Sequence, residues 1–294
     1  MRLLLTGAGG QLGHALAHQL APLGALTACT RAACDLERPH HLREVIRRTG
    51  PTVIVNAAAY TAVDRAESEP ERAAAVNRDA VALIAEEARR LGATVVHYST
   101  DYVFDGTKTG WYTEEDPAHP LGVYGRTKWE GEEALRRVGV PHLILRTSWV
   151  VGAHGANFAK TMLRLAATQE TVRVVADQVG APTSTALIAE VTRTLLRRLE
   201  ADGTTRFPCG TYHLAAAGET SWHAYAQFVF AEAGLDADRV QAITTAEYPT
   251  PARRPANSRL DTSRLRDTFG IELPDWTAGV RAVVREVVHT RGRQ

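Results

Sequence analysis

The stretch Thr6-Gly7-Ala8-Gly9-Gly10-Gln11-Leu12-Gly13 decides the fold. It follows a short apolar run, Arg2 to Thr6, and opens a helical pattern from Gln11 to Leu20. Glycines at 7, 10 and 13 give a G-x-x-G-x-x-G spacing, a variant of the dinucleotide fingerprint. In such a turn Gly7 would tighten the chain, Gly10 would let backbone approach a pyrophosphate, and Gly13 would let helix pack on sheet. The helix start behind it offers free N–H groups and a positive dipole end to an anion. Glycine spacing alone is a weak signal. Its position after the first strand of a βαβ series makes nucleotide binding the expectation.

That series continues outward from the loop. Ala25 to Thr30 reads as a strand, Pro39 to Arg48 as a helix opened by proline, and Thr52 to Asn56 as a buried strand. A long helix over Pro70 to Leu91 precedes the strand Thr94 to Ser99. The helix Leu121 to Val138 precedes the strand His142 to Thr147. Strands alternating with helices imply a parallel sheet, and Val/Ile/Leu-rich strands with little alternation imply that both faces are covered. Past Trp149 the pattern loosens into helices over Phe158 to Ala167, Thr185 to Leu199 and Ser221 to Ala233, and strands over Thr171 to Val175 and Gly210 to Ala215. Tyr248 to Pro255 is too rich in proline for regular structure. Helical patterns near Thr262 to Phe269 and Trp276 to Val288 close the chain. The expected fold is α/β, a Rossmann-type doubly wound parallel sheet with a smaller C-terminal substrate lobe. Residues 1–150 would form the dinucleotide-binding domain, 183–215 would return to it, and 151–294 would mainly form the lobe facing the carboxyl edge of the sheet.

Composition narrows the class. With 294 residues, 45% apolar and 23% charged, the chain is of ordinary globular make-up and long enough for one large domain or two small ones. A net charge of +1 with mixed signs argues against a nucleic-acid binder. No apolar run approaches the roughly 18 residues of a membrane span, and Leu3-Leu4-Leu5 is too short for a signal core. Cys29, Cys34 and Cys209 have no metal or redox spacing, so a reducing, cytoplasmic setting is expected. Of the 34 basic residues only Lys108, Lys128 and Lys160 are lysines. A lysine that persists in so arginine-rich a chain therefore attracts notice.

Two sites follow from these elements. The second strand ends in Thr30-Arg31, where an acid would favour a ribose 2′-hydroxyl and an arginine a 2′-phosphate. The expected cofactor is thus NADP(H), with NAD(H) as a second candidate. Asp35 and Leu36 come late enough to address the adenine edge. Tyr124 and Lys128 stand four apart on a predicted helix and so share a face. A tyrosine needs help to move a proton near neutrality, and a nearby ammonium favours the phenolate. Thr100, at the carboxyl end of its strand, could hydrogen-bond the substrate oxygen that Tyr124 protonates. Thr100, Tyr124 and Lys128 are then carbonyl polariser, acid and acid-tuner.

TGAGGQLG, NAAAYTAVD (Asn56 to Asp64), HYSTDYVFDG (His97 to Gly106), YGRTK, RTSWV (Arg146 to Val150), DQVGAPT (Asp177 to Thr183) and ARRPANSRL (Ala252 to Leu260) occur in that order. Together they resemble the dTDP-4-dehydrorhamnose reductase family of the extended short-chain dehydrogenase/reductase superfamily. The glycine loop and Tyr-x-x-x-Lys define only the superfamily, whereas STDYVF, RTSWV and ARRPxxSRL are much narrower. The resemblance implies an NADPH domain, a sugar-nucleotide lobe, and reduction of a 4-keto sugar as the last step of dTDP-L-rhamnose synthesis. It further implies that Gly10, Gln11, Leu12, Asp35, Leu36, Ala59, Tyr60 and Thr61 line the cofactor. Thr100, Asp101 and Trp149 would touch the sugar nucleotide, with Val63 and Tyr102 nearby. Among Arg253, Arg254 and Arg259, candidates for the diphosphate, Arg253 is taken as the contact.

Some members of this family bind Mg²⁺ through acidic residues at a subunit contact, one of them early in the first helix. Here that helix carries His14, so Mg²⁺ is not expected, and a monomer or weak homodimer is. His14 and His18 lack a third ligand and read as a solvated helix face. Lys160 could face phosphate or water, and Trp222 and Trp276 read as core or helix-face positions. The competing functions are another sugar-nucleotide 4-ketoreductase, a dehydratase or epimerase of the same superfamily, and a non-catalytic nucleotide-binding regulatory subunit. A dehydratase would carry an acid pair, typically Asp-Glu, after the threonine. Here Tyr102 takes the second place.

Overall fold

The structure is a computed structural model that describes residues 1–291. Its centre is a six-stranded, all-parallel sheet in the order β10-β5-β4-β3-β1-β2. The strands are β1 (Arg2–Thr6), β2 (Ala25–Cys29), β3 (Val53–Asn56), β4 (Thr94–Thr100), β5 (His142–Thr147) and β10 (Gly210–His213). Successive side chains of a strand point to opposite faces, and the two faces have separate cores. Leu4, Ile54, Val95 and Ile144 pack with Leu42, Ile46, Ile84 and Ala88. Those partners come from α2 (Pro39–Thr49) and α5 (Ala80–Leu91). Leu3, Leu5, Val55, Val96 and Leu143 pack on the other face with Leu16, Leu20, Ile188 and Leu195. These belong to α1 (Gln11–Leu20) and α8 (Thr185–Asp202). Burial on both faces is why these strands lack alternation.

The segment expected as one helix over Pro70 to Leu91 is not uniform. After the short α3 (Val63–Ala66), α4 (Pro70–Ala74) passes into a π-helical turn, Ala75–Asp79, before α5 resumes. The turn aims buried Asn77 at two neighbours. Its amide oxygen accepts from the Tyr60 backbone N–H at 2.9 Å, and its nitrogen donates to the Tyr60 carbonyl and to Thr127 Oγ1, each at 3.1 Å. Thr127 lies on α6 (Val123–Val138), so one side chain ties the loop after β3 to the helix that bears Tyr124 and Lys128. A second tie joins α6 to the sheet. Fully buried Glu132 accepts from Arg146 Nε at 3.0 Å and Nη2 at 2.7 Å on β5, and from Arg136 Nη2 at 2.8 Å.

Beyond β6 (Val150–Val151), a smaller core forms among α7 (Phe158–Ala166), α9 (Trp222–Glu232) and α11 (Trp276–Arg291). β7 (Val172–Val175) pairs in parallel with β12 (Val240–Ile243) against it. β8 (Val179–Gly180) pairs with β11 (Thr220–Ser221), and β6 with β9 (Thr183–Ser184). α10 (Ser263–Phe269) returns to the central sheet, where Leu265 and Phe269 join the core beside Phe207 and Tyr212. The irregular strap 248–260 is pinned by single bridges of Leu260 to Tyr112 and Asn257 to Val179.

Candidate active site

In a sheet of this order the direction of winding reverses at β1 and β3, and ligands bind outside the carboxyl ends there. The loops that follow those strands meet at that point. Gly7 has φ +73 and packs so closely on the β3 loop that a Cβ would stand 2.6 Å from the Ala58 nitrogen. A Cβ on Gly13 would stand 1.9 Å from the Gly7 carbonyl oxygen, so α1 reaches the turn only as glycine. Gly10 caps α1 without any side-chain hydrogen bond, which leaves the first N–H groups of the helix free for a pyrophosphate. A cavity of about 450 Å³ continues from Gly7 and Gly10 past Thr30, Arg31, Asp35, Leu36, Ala59 and Tyr60. The residues present fit a dinucleotide.

Arg31 does not stand free at this mouth. It hydrogen-bonds Glu37 and lies 3.8 Å from Asp35. Glu37 in turn accepts from Arg72 Nε at 3.1 Å. Arg31 lines the cavity as expected, with its guanidinium paired. An acid, missed in the sequence because it lies six residues past Arg31, occupies the same corner.

A larger cleft of about 730 Å³ joins the phosphate loop to the second lobe. Gln11, Leu12, Thr61, Val63, Thr100, Asp101, Tyr102, Tyr124, Lys128 and Trp149 all line it. Thr100 Oγ1 donates to Asp101 Oδ1 at 3.1 Å and accepts from the Tyr102 N–H at 3.2 Å. Burial raises the Tyr124 hydroxyl well above the ordinary phenol value, with the Thr100 hydroxyl pulling it back and Asp101 and Tyr102 adding to the rise. Tyr124 is thus held in its acid form. Burial pushes Lys128 down to about 8, against the favourable charge of Glu132. Its Nζ donates to the Tyr98 carbonyl at 2.5 Å and lies 3.2 Å from His97 Nε2. Tyr124 and Lys128 line the same cleft, and the shift of the Tyr124 hydroxyl is set first by its own burial, with the Thr100 contact opposing it.

Asp101, only 2% exposed, is pushed up to about 6 by burial, against the pull of the Ser258 and Thr100 hydroxyls. Its unfolded value is near 4, so ionising it costs the fold as pH rises from about 4 to about 6. The window is set by a raised folded value, so the loss lies above the unfolded pKa. Asp101→Asn removes that cost. It should raise thermal stability near neutral pH by at most about 3 kcal/mol, and the gain should vanish below about pH 4. A gain independent of pH, read by thermal unfolding across that window, would contradict this.

The substrate side departs from expectation at two residues. Arg253 is exposed and lines neither cavity. Arg254 turns inward, donating from Nη2 to Asp64 Oδ2 at 2.7 Å and from Nη1 to the Tyr102 hydroxyl at 3.2 Å. The backbone direction of the strap, not residue type, selects between the two. Arg259 is spent on Glu219, Asn257 and the Thr109 carbonyl. Trp149 lines the cleft, but one face of its ring stacks on Trp222 with centroids 3.7 Å apart. It is also the single non-glycine residue with positive φ, +47, among the described residues. Trp222, read from sequence as a core or helix-face position, belongs to the cleft wall. A further hollow of about 310 Å³ opens between Phe158, Trp222, Tyr248, Arg173 and Arg254.

Lys160 is half-buried, and its Nζ donates to the Ala153 carbonyl at 2.8 Å. The bend it braces is clasped to the phosphate loop. Asn157 Nδ2 donates to Gln11 Oε1 at 2.9 Å, and His154 stacks on His14 at 4.4 Å. Among the described residues no group of three or more His, Cys, Asp or Glu side chains is placed to hold a metal. No helix among them is long and apolar enough to cross a membrane.

Comparison with known proteins agrees with this geometry. Residues 1–289 match the family model for the RmlD substrate binding domain. A dTDP-4-dehydrorhamnose reductase of Burkholderia thailandensis is 46% identical, over 98% of this chain and 99% of that one. Among solved structures, one of a Clostridium acetobutylicum dTDP-4-dehydrorhamnose reductase superposes with a TM-score of 0.91 at 34% identity, covering 98% and 99% of the two chains. One from Bacillus anthracis, in complex with NADP, gives 0.88 at 32%, covering 97% and 99%. With a six-stranded parallel sheet, a glycine cradle at its switch point and a match running along nearly its whole length, the chain belongs to the RmlD substrate-binding family.

Proposed function

We propose that the chain reduces the 4-keto group of dTDP-4-dehydro-6-deoxy-L-mannose to give dTDP-L-rhamnose, the last step of dTDP-rhamnose biosynthesis. The observation that carries this is the convergence of Thr100, Tyr124 and Lys128 on the cleft that also contains the phosphate loop. A dinucleotide, when bound, would supply the hydride. The chain's own groups do the rest. Gly10, Gln11 and Leu12 present the helix start to the pyrophosphate, and Ala59, Tyr60 and Thr61 wall the cofactor. Tyr124, held as the neutral acid, donates its proton to O4 as charge develops there, while the Thr100 hydroxyl hydrogen-bonds the same oxygen. Lys128 keeps one N–H for the cleft after its bonds to β4.

Arg254, anchored by Asp64, stands where the cleft meets the hollow by Trp222, which suits a diphosphate with its base beyond. Val63, Asp101, Tyr102 and Trp149 would surround the hexose. Residues 1–150 with 183–215 then serve the cofactor, and 151–294 mainly the sugar nucleotide. NADP(H) is the preferred cofactor. NAD(H) remains in play because Glu37 and Asp35 share the corner with Arg31. All three cysteines are free, which favours a reducing, cytoplasmic setting. His14 stacks on His154 rather than offering an acid to a neighbour, which favours a monomer or weak homodimer.

The test is NADPH absorbance with the 4-keto sugar nucleotide as substrate. Loss of absorbance with formation of dTDP-L-rhamnose is expected. Absence of oxidation alongside tight capture of a protein partner would favour the regulatory reading instead.

A further inference from the structure

Behind the cleft a chain of buried polar groups runs from Lys128 into the sheet. Lys128 Nζ lies 3.2 Å from His97 Nε2, His97 Nδ1 lies 3.1 Å from Asn56 Nδ2, and Asn56 Oδ1 lies 2.6 Å from Thr6 Oγ1. Lys128 is 2% exposed, Asn56 1%, and Thr6 and His97 not at all. β1, β3 and β4 are adjacent, so Thr6, Asn56 and His97 sit opposite one another in register.

Donor counting restricts what this chain can be. An ammonium only donates, so beside a charged Lys128 the Nε2 atom must accept and the ring proton must sit on Nδ1. That proton then needs an acceptor, which the Asn56 amide provides only with its oxygen towards His97. With the amide nitrogen towards His97, Nδ1 accepts, Nε2 carries the proton, and only a neutral amine can receive it. Both arrangements satisfy the Lys128–His97–Asn56 contacts, with Thr6 donating to the amide oxygen in one and accepting from the amide nitrogen in the other, and they differ by one proton on Lys128. The row ends at Thr6 inside the sheet, so it holds the amine without conducting protons to solvent.

We infer that His97 is a positioning residue for Lys128, gripping the amine in both charge states by exchanging ring tautomers while the Asn56 amide turns over to match. The inference rests on the reductase reading for its kinetic arm alone. Other charges near the pair are few. Glu132 acts on Lys128 from one turn along the same helix and is itself held by Arg146 and Arg136, while His142 faces His97 from β5. His97 is kept neutral by burial and by Lys128, so its own charging does not compete in the same range. The Lys128 value near 8 leaves both states accessible.

A hydrogen bond that the ammonium donates is stronger than one the free amine accepts. Removing His97 therefore lowers the Lys128 pKa and moves the alkaline limb of the kcat profile to lower pH. His97→Leu should shift that limb by about one unit and leave the NADPH dissociation constant within about twofold. His97→Gln, whose amide can accept or donate at the same place, should restore the limb. In the ligand-free wild type, imidazole nitrogen shifts assigned by their loss in the Gln variant should exchange Nδ1–H for Nε2–H character as Lys128 titrates. A normal limb in the Leu variant, or a limb equally displaced in both variants, overturns the proposal. Should the Leu variant fail to fold, a His97 tautomer that stays fixed through the Lys128 titration overturns it independently. If no reductase activity is found at all, the same nitrogen spectra still decide.

Discussion

Tyr124→Phe should lower kcat for reduction by roughly 10²- to 10⁴-fold, the range associated with a positioned general acid. The substitution deletes one hydroxyl and keeps the ring, whose edge-to-face packing on Tyr102 at 5.5 Å between centroids is unaffected. NADPH affinity should stay within a few-fold, because the phosphate cradle and the walls of the adenosine cavity lie elsewhere. The pH profile sharpens the test. Burial holds the wild-type hydroxyl protonated far into the alkaline range in the free chain. An alkaline loss of activity is therefore expected from Lys128, the more acidic member of the Tyr124–Lys128 pair. Whatever activity Tyr124→Phe retains should lack that limb. Turnover near wild type would remove Tyr124 from the mechanism, and loss of cofactor binding would reassign it to the cofactor wall.

The second large effect is on stability. Glu132→Gln should cost about 3–5 kcal/mol, since it leaves Arg146 charged and unpaired inside the protein. The Arg146 side chain is 4% exposed and Glu132 fully buried. For a chain of this size that cost corresponds to a fall of roughly 10 °C in melting temperature. The same pair governs acid sensitivity. Burial opposes the charge on Glu132, but Arg146 and Arg136 overcome it and hold its carboxyl well below the usual range. A depressed folded value means that this stability is present above the unfolded pKa near 4 and is lost as pH falls through the folded one. The variant should thus be least stable relative to wild type near neutrality, and the difference should narrow in acid. Replacing Glu132 and Arg146 together with leucine and methionine should cost less than Glu132→Gln alone, because no lone charge remains. A melting curve unchanged by Glu132→Gln would show that the pair contributes nothing net.

What could be seen in the sequence and what could not divides along physical lines. The parallel sheet was legible because strands covered on both faces must be apolar through their centres, as Val53 to Val55 and Leu143 to Leu145 are. The phosphate loop was legible because close approach admits only glycine at fixed spacing. Tyr124 and Lys128 share a face through helical periodicity alone. The remainder depends on contacts between distant segments. Nothing local to Arg31 says that Glu37 and Arg72 will share its corner. Arg253 and Arg254 are adjacent and chemically identical, so only the course of the strap decides which of them meets Asp64. Trp149 and Trp222 lie on separate elements, and their stacking decides how much of the Trp149 face a sugar can reach. His97 was in view within HYSTDYVFDG, but its value lies in three neighbouring strands that only the sheet order brings into line.

The π-helical turn at Ala75–Asp79 makes residue count itself a constraint there. A π-helical turn takes up one residue more than the α-helical turn it replaces. Deleting one residue from 75–79 would let the turn close as regular α-helix, so Ile84, Ala85 and Ala88 would keep their places in the core under the sheet, while Asn77 would lose the bulge that aims it at Tyr60 and Thr127. The extra residue thus serves the tie between the β3 loop and α6 rather than the packing of the helix.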